Sequence, residues 1–448
     1  MRDLLKNRYI RALLVLGVVL LFFGGGAAAV CRFTSLNCQL HNTAKFDVHK
    51  QLNDLAHQDA GQPAKLASGF TESAVARGLT FPTDFAFLPD GSALIAEKNG
   101  LVLHAVNGVT QSTPFVDLRA RVNTEFYRGL MGVAVDPAFS SNHFVYVLYT
   151  QRLAAAAKGP TTMRLARLTA HGDSAPLSTL RVLLGAAGTR PCNTLPRGVD
   201  CLASYGDVDG GTIAFARDGT MYVSTGDGGG FDTQIEPGAI NSQSVDALEG
   251  KVLHITRDGK GVPSNPFWNG DANANRSKVW AYGFRNPFRM SLKPGSLVPY
   301  LGDVGSHAHE EIDVVAKGGN YGWPCYEGPS RNKVYVGTQL CKRLYARGPS
   351  AAHGPAYTYP HTGSVAVVGG AFYTGVSHAG LAHGTYVFGD WVRGWMKELT
   401  FDAAGHAQGR PRVFATNASG PVAIKMGPGG DLYYLSLDAG VLRRIRPA

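Results

Sequence analysis

Apolar residues along this chain come in short runs of five to eight, each pair of runs separated by a turn rich in Pro, Asp and Gly. FAFLPDGSALIAEK at 85–98, GVAVDPAFSSNHFVYVLYT at 132–150 and TIAFARDGTMYVSTGD at 212–227 share this form, as do MSLKPGSLVPYLGDVG at 290–305 and AIKMGPGGDLYYLSL at 423–437. A looser copy joins VVGGAFYTG at 367–375 to TYVFGDWVRGWMKELTFD at 385–402, which makes six. The turn residues set tight hairpins, and alternating apolar positions place side chains against neighbouring sheets. No long stretch carries the i, i+3, i+4 spacing of an amphipathic helix. Self-similar units of this size predict an all-β architecture of blades around a channel. Long polar segments at 183–211, 228–250, 258–280 and 303–360 interrupt the repeats, and loops of that length in a compact domain are usually functional.

The N-terminus has another pattern. Arg2, Lys6, Arg8 and Arg11 precede nineteen residues, 12–30, without a charge. As a helix these would span roughly 28 Å, enough for a hydrocarbon core, and the basic flank would keep the N-terminus cytoplasmic. A cleaved signal peptide is the alternative, with Ala27-Ala28-Ala29 as its small-residue site, and lipidation at Cys31 is a third. In all three cases the rest of the chain is exported, to the periplasmic or extracellular face of the membrane. The expected organisation is an anchor or signal at 1–31, a polar stalk at 32–65 and a propeller at 66–448.

The six cysteines agree with export. Fifteen pairings are possible; Cys192 with Cys201 and Cys325 with Cys341 are the economical ones, being sequence neighbours inside Pro/Gly-rich loops. Cys31 and Cys38 stay open between lipidation and pairing. The net charge of +10 is scattered, with no basic run beyond RRIR near the end, so a nucleic-acid footprint is missing. GxGxxG, Walker, GxSxG and CxxCH motifs do not occur, which removes the common nucleotide, serine-hydrolase and haem chemistries.

Between Trp280 and Trp323 the chain reads WAYGFRNPFRMSLKPGS, then YLGDVGSHAHEEIDVVAKGGNYGWP. This stretch resembles the glucose/sorbosone dehydrogenase family, and the resemblance runs from Leu79 to Arg446. It implies a six-bladed β-propeller, pyrroloquinoline quinone (PQQ) and calcium as cofactors, and oxidation of a sugar or sugar-derived aldehyde. A respiratory-chain acceptor would then take the electrons. By the same resemblance Asp207 begins the catalytic motif, but Val208 occupies the place of the histidine that takes the substrate proton. Valine cannot accept a proton, so Asp207, Asp209, His307 or His309 must replace it, or the chemistry is lost. Asp227 matches the acidic partner of that histidine.

Arg285 and Asn286 match quinone contacts, and Arg128 and Arg393 lie beside positions where relatives carry others. A guanidinium offers carboxylates and quinone oxygens a flat, permanently charged fork. The turn 302–306, with Asp303, Gly305 and Ser306, matches the calcium turn, to which Glu310 and Glu311 could add oxygens. Tyr321 and Trp323 read as structural. A degenerate propeller that binds carbohydrate or protein, and a metal-dependent sugar lactonase, are the rival readings.

Overall fold

The strand Phe144–Thr150 is buried along both faces. Val145, Val147 and Tyr149 pack into one apolar cluster, while Tyr146 and Leu148 pack into the next. A strand with period-two side chains can do this only when a sheet covers each face. In the computed structural model, which describes residues 62–448 apart from 154–160, 189–191, 197, 205–207, 231–233, 297 and 379, this arrangement recurs six times. All of the described residues belong to one compact unit, Ala60–Ala448.

Six antiparallel sheets form the blades of a propeller. Their innermost strands are Pro82–Phe87, Leu130–Val135, Gly210–Phe215, Pro287–Leu292, Val367–Phe372 and Pro421–Met426, in blades 1 to 6. Five of the six repeats seen in the sequence span the first two strands of a blade, and the looser copy at 367–375 and 385–402 runs on through the third strand of blade 5. Six apolar clusters fill the six spaces between neighbouring blades. Blade 6 closes the ring: Val441–Pro447 pairs with Phe70–Ala76, from the other end of the unit. Lys65–Leu66 adds to the outer edge of blade 5 and Ala64 is buried, so the end of the expected stalk is built into the propeller.

The channel is plugged. Arg289, on the inner strand of blade 4, donates to Thr83 O (2.6 Å), Gly211 O (2.7 Å) and Val422 O (3.0 Å), which lie on the inner strands of blades 1, 3 and 6. Lys425 and Asp84 form a second buried pair at 2.6 Å. Ligand chemistry is therefore confined to the channel mouths.

Both expected disulfides are present, Cys192–Cys201 and Cys325–Cys341. The second ties the helix Gln339–Ala346 to the segment after Trp323, and with Ala239, Tyr335 and Leu344 it makes a small core of its own. Its loop, with a sequence separation of 16 residues, corresponds to about 3 kcal/mol of unfolded-chain entropy. Changing both Cys325 and Cys341 to Ser should thus lower the urea midpoint by an equivalent amount. Reductant should then have little further effect beyond the loss of Cys192–Cys201. A double variant as stable as the parent would show that the loop core holds without its bridge.

The anchor or signal expected at 1–31 and most of the stalk lie outside the described residues. Among the described residues no helix is long and apolar enough to cross a membrane.

Candidate functional site

Second strands of the blades run out to one mouth of the channel, and several end in acids: Ala93–Glu97, Pro299–Asp303 and Tyr386–Asp390, with Asp227 just beyond Met221–Thr225. Blades 3, 4 and 5 meet here, and the long loops of blades 3 and 4 close over them.

Asp227 is fully buried. Its Oδ2 accepts the indole N–H of Trp323 at 2.7 Å and its Oδ1 accepts Gly229 N at 2.7 Å, while its own N–H donates to Arg285 O at 2.8 Å. Trp323 in turn carries the guanidinium of Arg285 5.6 Å from its ring centre. Arg285 donates to Gly305 O at 2.8 Å and Val304 O at 3.1 Å. Asp303 accepts both Arg285 N (3.0 Å) and Asn286 N (2.6 Å), and Asn286 Oδ1 accepts Gly210 N at 3.2 Å. The structure thus brings Asp227, Arg285, Asn286, Asp303 and Gly305 into one network. Behind it Lys251 lies buried, its ammonium held by the carbonyls of Asn241, Ser242 and Glu249. Burial pulls its pKa down to about 7, against the attraction of Glu249 and Asp227.

Other expected residues are placed differently. Asp207 lies outside the described residues. Val208 is buried, its N–H donating to Gly229 O and its carbonyl accepting Gly228 N. Asp209 is also buried and accepts the Thr150 hydroxyl at 2.6 Å. Arg128 is 1% exposed and donates to Ser204 Oγ and O, so it braces the wall of blade 2. Arg393 is exposed on blade 5 and donates to Thr362 O at 2.9 Å. His307 is exposed, and His309 packs over Gly328 with Nε2 3.2 Å from Ser330 Oγ.

The 302–306 turn differs from the expectation in a way that matters for metal. The carbonyls of Val304 and Gly305 face the Arg285 guanidinium, which repels a cation. Ser306 N, with His307, Ala308 and His309 N, donates to one oxygen of Glu327 at 2.7–3.2 Å. Glu310 is turned towards blade 5, accepting Val367 N at 2.7 Å, because adjacent residues of a strand face opposite sides of the sheet. Its neighbour Glu311 faces the other way, with Asp303, Glu327, Arg285 and Tyr321, around a cavity of about 10 Å³. That volume suits one water-sized particle.

This cavity is strongly acidic. Burial pushes the Asp303 carboxyl up to about 7, and nearby Glu310 raises it further, despite the backbone N–H groups that favour the charged form. Glu311 and Asp313 are both held well above the usual carboxylate range, first by burial and then by neighbouring carboxylates: Asp313 and Asp303 for Glu311, Asp303 for Asp313. Both Asp313 oxygens are buried without a hydrogen-bond partner among the described residues. Among those residues no three His, Cys, Asp or Glu side chains are grouped as a ready metal site. The donor chemistry, hard oxygens with surplus negative charge, suits calcium; the spacing does not yet close around an ion.

Fold and site together define a six-bladed propeller with one charged, loop-covered mouth. Residues 79–444 match the family model for glucose/sorbosone dehydrogenase, and the chain belongs to that family. The HIPL2 protein of Arabidopsis thaliana is 26% identical over 411 residues, 76% of this chain and 56% of that protein. The aldose sugar dehydrogenase YliI of Escherichia coli is 27% identical over 247 residues, 55% of this chain and 59% of that protein. The chain thus spans little more than half the length of these curated relatives. Among solved structures, the PQQ-bound form of an aldose sugar dehydrogenase from Streptomyces coelicolor aligns with a TM-score of 0.61 at 19% identity, covering 85% of this chain and 100% of that one. That likeness establishes the fold.

Sequence reasoning missed Glu327, Asp313 and His361. His361 sits in the short loop before the inner strand of blade 5, as Asp207 and Val208 sit before that of blade 3. This positional echo was the available signal.

Proposed function

We propose that this protein is a sugar oxidoreductase that removes a hydride from a sugar hydroxyl or aldehyde carbon. The observation that carries the reading is the Asp227–Trp323–Arg285–Asp303 network at one channel mouth, in a chain of this family. A PQQ-type quinone, when bound, would supply the two-electron acceptor. Arg285 and Arg393 are the cations placed to hold its carboxylates: Arg393 is exposed, and among the described residues only one of its terminal nitrogens is committed, to Thr362. Asp227 fixes the Trp323 ring, and that ring fixes Arg285, so the cationic fork is oriented before a ligand arrives. Calcium, when bound, would need Asp303, Glu311 and Glu327 to draw together and Arg285 to turn aside, since their present spacing does not close around an ion. We further assign the protein to the exported side of the membrane, supported by the two disulfides and by the apolar segment 12–30.

The test is dye-coupled oxidation of an aldose and aldehyde panel by the full-length protein with calcium, with and without PQQ. Dye reduction that needs both additions is expected. Tight PQQ binding without turnover would overturn the enzymatic reading and favour a carbohydrate- or protein-binding propeller, the alternative that Val208 supports.

A further inference from the structure

His361 comes directly after the strand Tyr357–Pro360 of blade 4 and is fixed at both ends. Its backbone N–H donates to Ala308 O at 2.8 Å, and its ring Nδ1 lies 2.5 Å from Glu310 Oε1. Glu310 is fully buried, and its second oxygen is held by Val367 N at 2.7 Å. The carboxylate is therefore anchored between blades 4 and 5, and it selects the tautomer in which Nδ1 carries the proton. Nε2 is then the free base. The side chain keeps 22% of its surface exposed, and Nε2 makes no hydrogen bond among the described residues.

His361 also belongs to the mouth. Ala308, which accepts its N–H, donates in turn to Glu327, and Glu327 and Arg285 line the same cavity. We propose that His361, oriented by Glu310, is the proton acceptor of this propeller, the role that Val208 cannot fill. The proposal rests on the oxidoreductase reading above. In the step, the substrate O–H bond breaks and its proton forms an N–H bond at Nε2. The adjacent C–H bond breaks with its electron pair, which leaves as hydride to an ortho-quinone oxidant, and the C–O single bond becomes a carbonyl. Glu310 stabilises the resulting imidazolium, and water later takes the proton. The groups that face the ring are Glu310 and Glu327, which raise its pKa, and Arg285, which opposes them; the hydrogen bond that the ring donates to Glu310 is the largest influence, with burial working against it.

Two measurements on the full-length protein test this. Carbethoxylation of each histidine, followed by peptide mapping against pH, reads the ring directly and needs no turnover. His361 should react with a midpoint raised by Glu310, Glu310→Gln should move that midpoint down by about one pH unit, and PQQ with calcium and aldose should protect His361 several-fold. In turnover, His361→Gln should lower kcat by about 10² or more with KM and PQQ binding little changed. Glu310→Gln should shift the acid limb of the kcat profile in step with the carbethoxylation midpoint. Melting curves of both variants identify any that fail to fold, and the milder His361→Asn then replaces His361→Gln. Full kcat in the His361 variant, or an acid limb unmoved by Glu310→Gln, overturns the proposal and leaves the oxidoreductase reading intact. A folded wild-type protein that binds PQQ yet oxidises no sugar overturns that reading, and the proposal with it.

Discussion

Replacing Arg289 with methionine is expected to lower the free energy of unfolding by about 3–5 kcal/mol, because three buried carbonyls lose their donor at a cost of about 1–3 kcal/mol each. The cause lies in the geometry of a propeller. The innermost strand of each blade is a sheet edge, and its channel-facing carbonyls have no neighbouring strand. Arg289 satisfies three of them, on Thr83, Gly211 and Val422, while belonging to a fourth blade. Methionine fills much of the volume but leaves those acceptors unpaired in a site closed to water. Lysine offers one ammonium in place of a fork and should recover only part of the loss. Urea denaturation decides it: a lower midpoint at unchanged slope is expected, and a midpoint equal to wild type would show that the plug contributes nothing to holding the blades together.

The second large effect concerns acid. Asp303 titrates near 7 when folded, against 3.8 for the free side chain, and Glu311 and Asp313 are displaced in the same direction. The folded state holds these protons more tightly than the unfolded chain does. Their stabilising influence is complete below about pH 4 and is lost as the pH rises through about 7. Chelated protein should therefore weaken by a few kcal/mol between pH 5 and 7.5, and calcium should restore most of the loss at the upper pH by binding the folded state alone. Asp313→Asn removes one competing charge, so it should flatten the slope and stabilise the metal-free protein at pH 7.5. Chelated protein whose melting temperature is flat across this range, or a destabilised Asp313→Asn variant, would falsify the account of the cavity.

The blades were legible in the sequence because their signals are local. Turns such as PDG, RDG and KPG stand between apolar runs, and the six pairs of runs became the inner strands of six sheets. Arg285, Asn286 and Asp303 were legible as well, since they belong to a contiguous motif. What escaped was set by contacts that a long loop brings together inside blade 4. Glu327 comes from the loop after Trp323 and reaches back to cap four successive N–H groups. Glu310 and Glu311 stand together in the sequence as possible calcium oxygens, although the alternation of a strand sends them to opposite sides. His361 acquires its partner only when the strands His309–Val314 and Tyr357–Pro360 pair within blade 4, and no spacing rule joins residues 51 positions apart.

The seam in blade 6 has a temporal consequence. Phe70–Ala76 leaves the ribosome more than three hundred residues before its partner Val441–Pro447 exists. Until then five blades can collapse while this early strand keeps an unpaired edge, open to other chains. Completion of the ring thus waits on residues 441–447, and a nonsense change at Val441 would leave nearly every residue of the site present but the circle unjoined.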